Sequence, residues 1–167
     1  MTTTYNLTYR ESRTYIISAI FVAGNILLPQ LCHLMPQGGL IWLPIYFFTL
    51  VAAYKFGMTA GLLTAVLSPV VNNILFGMPP APMLPIILIK SVLLALSASI
   101  IAGKMRKVNI FAIALAVILA QFVGSIAEWG MTGSLSAALQ DVSLGLPGIL
   151  FQIFGGYLVC RLSGFKD

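Results

Sequence analysis

The chain has 167 residues, of which 59% are hydrophobic and only 8% are charged, and its net charge is +5. Soluble domains carry about 25% charged residues, so a chain this apolar has too little polar surface to cover a water-soluble globule. The composition excludes a soluble enzyme and predicts a polytopic α-helical membrane protein that folds as a single domain over residues 1–167.

Six apolar segments follow a polar N-terminal stretch, residues 1–13. The first segment is interpreted as a retained helix, because it has no convincing small-residue cleavage site and further spans follow it. Consecutive prolines, Pro79 and Pro80, exclude a continuous helix between the third and fourth segments. The stretch 129–143 is long enough to hold a short surface helix. The six predicted helices are Tyr15–Leu34, Leu40–Tyr54, Met58–Phe76, Met83–Ala102, Val108–Glu128 and Leu144–Leu162.

The distribution of lysine and arginine predicts the direction of each helix. Of the nine basic residues, all but Lys90 fall on one side of a six-span chain, and cytoplasmic loops are the ones enriched in basic residues. We therefore expect an all-α integral membrane protein with six transmembrane helices and both termini in the cytoplasm. In this topology Cys32 and Cys160 lie on opposite sides of the membrane, so they are expected not to pair. The residues on the basic side are Arg10, Arg13, Lys55, Lys104, Arg106, Lys107, Arg161 and Lys166.

Most polar residues inside the predicted spans converge on the outer half of the membrane. The fourth helix starts outside, so a rise of 1.5 Å per residue puts Lys90 on the order of 10 Å below the outer face. On the fifth helix a polar stripe follows helical spacing and ends at Glu128. The candidate substrate-binding residues are Lys90, Asn72, Asn73, Gln121, Glu128, Trp42, Tyr46 and Gln152.

Several of these residues have more than one interpretation. Lys90 could bind an anionic ligand, pair with Glu128, or extend its ammonium to the outer interface. Because helix neighbours point about 100° apart, at most one of Asn72 and Asn73 can face a pocket. Trp42 could be an interfacial aromatic residue. The sequence alone leaves these alternatives open.

Small residues recur at every fourth position in three predicted helices, a spacing that lets helices approach closely. The chain also has no P-loop, no nucleophile–base set and no cluster with metal-ligand spacing. It is therefore predicted not to be an enzyme and to hold no cofactor or metal. The small residues are Ala19 and Ala23 in the first helix, Ser91, Ala95, Ser99 and Gly103 in the fourth, and Ala112, Ala116, Ala120 and Gly124 in the fifth.

Length, topology and polar asymmetry together resemble the substrate-binding S component of an energy-coupling factor (ECF) transporter. "AIFVA", Ala19–Ala23, is similar to the Ala-x-x-x-Ala contact that this family makes with its transmembrane coupling subunit. The block "GGLIWLPIYFFTLVAAYKFGMTAGLLTAVLSPVVNNILFG", residues 38–77, is similar to the second and third helices of these proteins.

The resemblance implies a vitamin or related micronutrient as substrate, bound near the outer face beneath the loop Met35–Gly39. It also implies a coupling subunit that packs on Ala19 and Ala23, separate ATPase subunits that supply the energy, and a prokaryotic cytoplasmic membrane. Nucleic acid is not expected as a partner. Lys90 favours a compact heterocycle with an acidic tail, and a neutral or cationic ligand held by Glu128 is the alternative.

Two other classes fit parts of the pattern. A structural scaffold of the cell-shape type would need neither an intramembrane lysine nor an outer polar stripe. A stand-alone facilitator would need a polar route through the inner half, where the sequence offers little besides Gln152 and small residues.

Overall fold

The computed structural model describes residues 4–163, with every side chain in that range except that of Asp141. Within this range the protein is helical and has no strand, and a 3-10 turn over Pro44–Tyr46 joins the second helix to the third. Lys166, one of the basic residues used for the topology, lies outside the described residues. The helices are α1 (Ser12–Cys32), α2 (Gly38–Trp42), α3 (Phe47–Phe56), α4 (Met58–Phe76), α5 (Leu84–Met105), α6 (Ile110–Thr132), α7 (Leu135–Ala138), α8 (Gln140–Ser143) and α9 (Leu146–Leu162).

Five helical segments in residues 4–163 are long and apolar enough to cross a membrane. They are α1, the unit Gly38–Phe56 that combines α2 and α3, α4, α5 and α6. The sixth predicted span corresponds to α9, which is apolar but shorter, at 17 residues. The predicted all-α membrane class is therefore confirmed, with five segments of full length and one short one. Cys32 and Cys160 are both free.

The second predicted span is not one continuous helix, which corrects the sequence-based boundaries. Helix α2 ends at Trp42, Leu43 adopts a left-handed conformation (φ 45°), and the chain resumes as α3 only at Phe47. Pro44 explains the break, because it has no N–H to donate and its ring clashes with a preceding helical turn. The short helix α2 therefore sits at one end of the bundle, next to α1 and α9.

Helix α3 forms the centre of the protein. All of its residues from Thr49 to Phe56 are buried, and it packs against α1, α4, α5 and α9. Gly61 on α4 permits one of these contacts, since a Cβ there would lie only 2.5 Å from the Cβ of Ala53. A helix that is buried all round and apolar apart from Thr49, Tyr54 and Lys55 is one that a membrane bundle can enclose completely.

The other long helices surround α3 in the order α1, α4, α5, α6 and α9, and each packs against the next. Their outward faces are apolar; on α6, for example, Phe111 and Phe122 are 81% and 66% exposed. Lipid tails cover such faces in a membrane, so their exposure is what a bilayer-embedded protein requires.

The described part of the N-terminal stretch packs along the end of α3. The N–H of Tyr5 donates to the Lys55 carbonyl at 2.7 Å, and the N–H of Leu7 donates to the Phe56 carbonyl at 3.0 Å. The Lys55 side chain is fully buried, with its Nζ 5.2 Å from the centroid of the Tyr5 ring. Lys55 therefore belongs to the last turn of α3 and lies under the N-terminal segment, not in an open loop.

A buried polar network centred on Asn25 joins three helices. Its Nδ2 donates to Thr49 Oγ1 on α3 at 3.0 Å and to Ser68 Oγ on α4 at 3.2 Å. Its Oδ1 accepts from the backbone N–H of Phe48 at 3.1 Å, a donor in the first turn of α3, where intrahelical partners are lacking. One side chain thus accepts from a backbone N–H at the start of α3 and links α1 to both α3 and α4.

The Asn25 carbonyl needs a partner from outside its own helix. In an α-helix it would accept from the N–H of residue 29, but Pro29 has none. Asn72 on α4 supplies the missing donor, with its Nδ2 2.8 Å from the Asn25 carbonyl oxygen. Because the bilayer offers no water to satisfy a freed carbonyl, this bond fixes α4 against α1.

Removing Pro29 is expected to make the Asn72 amide less important for stability. In Pro29→Ala the N–H of residue 29 can donate to the Asn25 carbonyl, so Asn72→Leu should cost about 1 kcal/mol less in that background than in the wild type. A double-mutant cycle based on unfolding in detergent measures this coupling. Asn73→Leu is the matched control and should cost the same in both backgrounds, because Asn73 bonds elsewhere. Equal costs of Asn72→Leu in the two backgrounds would contradict the bond's role.

Candidate functional site

One end of the bundle gathers the residues that the sequence places in the outer half of the membrane. It is the end at which α1 and α4 finish and α5 begins, and we call it the outer end in keeping with the predicted topology. The loop between α1 and α2 and the loop between α4 and α5 both lie there.

A cavity of about 250 Å³ opens between these two loops; we call it the outer cavity. Its wall is formed by the end of α1, α2, the 3-10 turn, the end of α4, and the chain from Met78 into α5. The polar side chains in the wall are Gln30, His33, Gln37 and Asn72, and the remaining lining is proline, glycine, methionine and aliphatic residues.

Two buried amide atoms of residues in this wall have no hydrogen-bond partner among residues 4–163. They are Nε2 of Gln30 and Oδ1 of Asn72. The orientation of Asn72 is fixed, because its Nδ2 donates to the Asn25 carbonyl, which can only accept. Most buried polar groups in folded proteins are satisfied. Both residues line the outer cavity, but these two atoms are themselves covered and do not face it.

The two asparagines on α4 have different environments. Asn72 is buried and lines the outer cavity. Asn73 turns away, and its Nδ2 donates to the Pro79 carbonyl at 2.7 Å. That bond holds the loop between α4 and α5 over the cavity, so Asn73 positions the wall and Asn72 contacts the space.

A second polar group, which we call the polar cluster, lies one helical turn deeper and consists of Tyr46, Lys90, Gln121, Glu128 and Gln152. Lys90 and Glu128 form an ion pair and are only 4% and 7% exposed. A space of about 10 Å³, enough for about one water molecule, lies between Lys90 and three other members of the cluster, Tyr46, Gln121 and Gln152. Nε2 of Gln121 and Nε2 of Gln152 face no partner.

The ion pair explains why the otherwise apolar helix α5 contains a lysine. A lysine at the centre of a span costs about 2.5–3.5 kcal/mol on insertion scales, and a buried carboxylate nearby offsets part of that cost. Gly124, one turn from Glu128, makes room for it, because a Cβ there would lie 3.0 Å from Lys90 Cγ. In the structure the lysine is buried beside Glu128 and is not among the residues that line the outer cavity.

Trp42 lies outside both polar regions. Its ring packs edge-on against Phe151 with centroids 6.1 Å apart. Its backbone touches α9, where a Cβ on Gly148 would lie 2.5 Å from the Trp42 carbonyl oxygen. Trp42 therefore joins α2 to α9 in this structure.

Another cavity, of about 660 Å³, lies at the opposite end of the bundle, between the N-terminal segment, the junction of α3 and α4, and the end of α5. Among the described residues, none of the buried polar atoms without a partner lines it. The unpartnered polar atoms of the described residues therefore belong to the wall of the outer cavity and to the helices around the polar cluster, not to this second cavity.

The three small-residue ridges differ in what they contact. Ala19 and Ala23 are exposed on α1, beside Tyr15, Ile16 and Ile20. In contrast, most of the ridge residues of α5 and α6 are buried inside the bundle: Ser91, Ala95, Ala112, Ala116, Ala120 and Gly124. Only the α1 ridge is thus open along most of its length.

Replacing one member of the ion pair is expected to destabilise the protein more than replacing both. Lys90→Met leaves the Glu128 carboxylate buried without its cation, which should cost about 3–5 kcal/mol, and adding Glu128→Gln should recover much of the loss. Thermal unfolding in detergent measures both values. Lys104→Met, at the exposed end of α5, is the control and should change stability by about 0.5 kcal/mol or less. A double variant no more stable than the single one would contradict a structural role for the pair.

Comparison with known proteins identifies the family of the chain. A family model described as "ECF transporter, substrate-specific component" matches residues 13–162. No curated protein and no solved structure matches the chain. The matched region extends from the first turn of α1 to the end of α9, and therefore includes the outer cavity, the polar cluster and the exposed ridge. The chain belongs to the family of substrate-specific components of ECF transporters.

Proposed function

We propose that the protein is the specificity subunit of an ATP-driven ECF importer and that it captures a vitamin or related micronutrient in the outer cavity. The observation that carries this proposal is the outer cavity itself, a mostly apolar space whose lining includes four polar side chains, Gln30, His33, Gln37 and Asn72. Ligand pockets are typically apolar spaces with a few well-placed polar groups.

The proposed topology has six spans, with α9 as the sixth, and both termini in the cytoplasm. The 17 residues of α9 are at the short end of the range for a membrane helix. Support for the orientation comes from Lys104, Arg106 and Lys107, which lie together at the end of α5 opposite the outer cavity. A prokaryotic cytoplasmic membrane is the proposed location.

The predicted site residues receive different proposed roles. Asn72 contacts the substrate directly, and Asn73 supports the loop over it. Tyr46, Gln121 and Gln152, with the pair of Lys90 and Glu128, form the floor beneath the substrate, because Lys90 lies three residues along α5 from Ile87, which lines the outer cavity. Trp42 supports the wall by holding α2 on α9.

The coupling subunit is proposed to bind the exposed ridge of α1, at Ala19 and Ala23. Small residues on an exposed apolar face allow a partner helix to approach closely. The buried face of the same helix carries Thr14, Ser18 and Asn25. With its polar face committed to the bundle, α1 can present the apolar face to a partner.

Bulky residues on the ridge should prevent assembly without unfolding the protein. A tagged chain co-expressed with a coupling subunit and two ATPase subunits is expected to co-purify with them, while Ala19→Trp and Ala23→Trp should lose at least tenfold of that yield. Ile118→Trp is the control, because it places the same bulky ring at an exposed position on α6 and should leave assembly intact. Normal assembly of both ridge variants would refute the coupling face.

Native mass spectrometry separates the transport role from the scaffold alternative. The protein isolated in detergent from cells grown in rich medium is expected to retain a bound molecule of vitamin size and, without its partners, to hydrolyse no ATP. If it carries no such mass and gains no thermal stability from a panel of vitamins, the scaffold interpretation is favoured. Uptake by the chain without ATPase subunits would favour the facilitator.

A further inference from the structure

We propose that an anionic phospholipid binds with its headgroup in the cavity at the end of the bundle opposite the outer cavity, and that Arg106 contacts the lipid phosphate. We call this space the inner cavity; it lies between the N-terminal segment, the junction of α3 and α4, and the end of α5. The proposal adds a second site to the proposed function and does not depend on which substrate the outer cavity takes.

The charge of the inner cavity favours an anion. Arg106 is the one charged residue among the described residues that line it. Lys104 and Lys107 lie close to it in the chain, all three side chains are exposed, and none of the described carboxylates pairs with Arg106. A guanidinium can bind phosphate oxygens through two parallel hydrogen bonds, and the lysines add positive charge nearby.

The backbone that carries these basic residues is held in place by bonds to α5 and α3. The N–H of Arg106 donates to the Ala102 carbonyl at 2.8 Å, which closes the end of α5. The hydroxyl of Tyr54, a buried residue of α3, donates to the Lys107 carbonyl at 3.1 Å and accepts from the N–H of Asn109 at 3.4 Å. A site whose backbone is already ordered loses less conformational entropy when a ligand binds.

The inner cavity has room for more than a phosphate ion. Its volume of about 660 Å³ falls within the usual range of small-molecule pockets, about 300–1,000 Å³. Thr4 and Asn6 contribute polar side chains from the N-terminal segment, whereas Met58 and Gly103 contribute apolar surface from α4 and α5. A Cβ on Gly103 would meet no atom within 4 Å, so the space beside the end of α5 is open. This mixed lining suits a glycerol phosphate group, which has polar oxygens on a carbon backbone.

Exposed apolar residues adjoin the inner cavity. Met58, in its lining at the start of α4, is 38% exposed, and Ile100, next to the lining residue Ser99 on α5, is 49% exposed. Lipid tails cover such residues in a membrane, so acyl chains can lie along them while the headgroup enters the cavity. In the proposed topology this end faces the cytoplasm, and basic pockets between membrane helices on that side bind acidic headgroups. A lipid is therefore favoured over a soluble anion.

The test compares two lipids that share their acyl chains and differ in net charge. Native mass spectrometry follows the full chain, in a non-ionic detergent, as phosphatidylglycerol or phosphatidylcholine is added. Both lipids carry a phosphate, but only phosphatidylglycerol is anionic overall. We expect it to bind about fivefold more tightly, the contribution of one basic residue near a membrane surface. Equal affinities for the two lipids would overturn the proposal.

Variants at exposed positions locate the site. Arg106→Gln should abolish the preference for phosphatidylglycerol, and Gly103→Leu should weaken its binding with every charge retained, because the added side chain occupies the open space beside α5. Arg13→Gln, in the first turn of α1 and outside the lining, loses the same charge and is the matched control; it should keep the preference. Thermal unfolding first checks that each variant is folded. A control that loses the preference as fully as Arg106→Gln would show a response to net charge alone and contradict the site.

Inorganic phosphate distinguishes a lipid site from a site for a free anion. It should displace phosphatidylglycerol no more than sodium chloride of the same ionic strength does, because salt screens exposed charges whatever its anion. Specific displacement by phosphate, lost in Arg106→Gln, would mean that the cavity takes a soluble anion and that the lipid assignment is wrong. Neither result changes the proposed function, since assembly with the ATPase subunits and capture of a vitamin are measured separately.

Discussion

The outer half of the structure depends on one backbone carbonyl, that of Asn25. Pro29 removes the N–H that this carbonyl would accept from within α1, and Asn72 on α4 provides the replacement. In a bilayer no water can take that place, so α1 and α4 are held at one fixed register. The Asn25 side chain extends the constraint to α3 through Phe48 and Thr49.

The same bond also fixes Asn72 in the wall of the outer cavity, because its nitrogen donates to the Asn25 carbonyl. The polar cluster one turn deeper differs, because it holds the ion pair of Lys90 and Glu128. A cavity whose lining includes no Asp, Glu, Lys or Arg and an ion pair that neutralises itself therefore lie at neighbouring depths of the bundle.

Helix α1 carries the two proposed functions on opposite faces. Its buried face holds Asn25, which bonds to Asn72, and Pro29, which lines the cavity, and its exposed face holds the ridge of Ala19 and Ala23. A partner on the exposed face would contact the helix whose other side forms part of the ligand site. This arrangement allows binding of a coupling subunit and binding of a ligand to influence each other through one rigid element.

The sequence by itself determined the membrane class, the helical segments and the family resemblance, because these depend on composition, hydropathy and local spacing. It also placed Asn72, Lys90 and Glu128 at similar depth. The break at Pro44 was missed because the hydropathy of the second segment is continuous through it. In the sequence, the proline four residues after Asn25 indicates that the Asn25 carbonyl lacks its helical donor. The sequence does not indicate which residue supplies the replacement donor.

Only the tertiary structure decided which polar residues meet. Lys90 and Glu128 lie on different helices, and the packing of α5 on α6 brings them together. The exposed or buried state of a small-residue ridge is likewise a property of packing, since the ridges of α1, α5 and α6 look alike in the sequence. Helical spacing fixes which residues share a face, whereas the partner of that face is set by long-range contacts that no local pattern encodes.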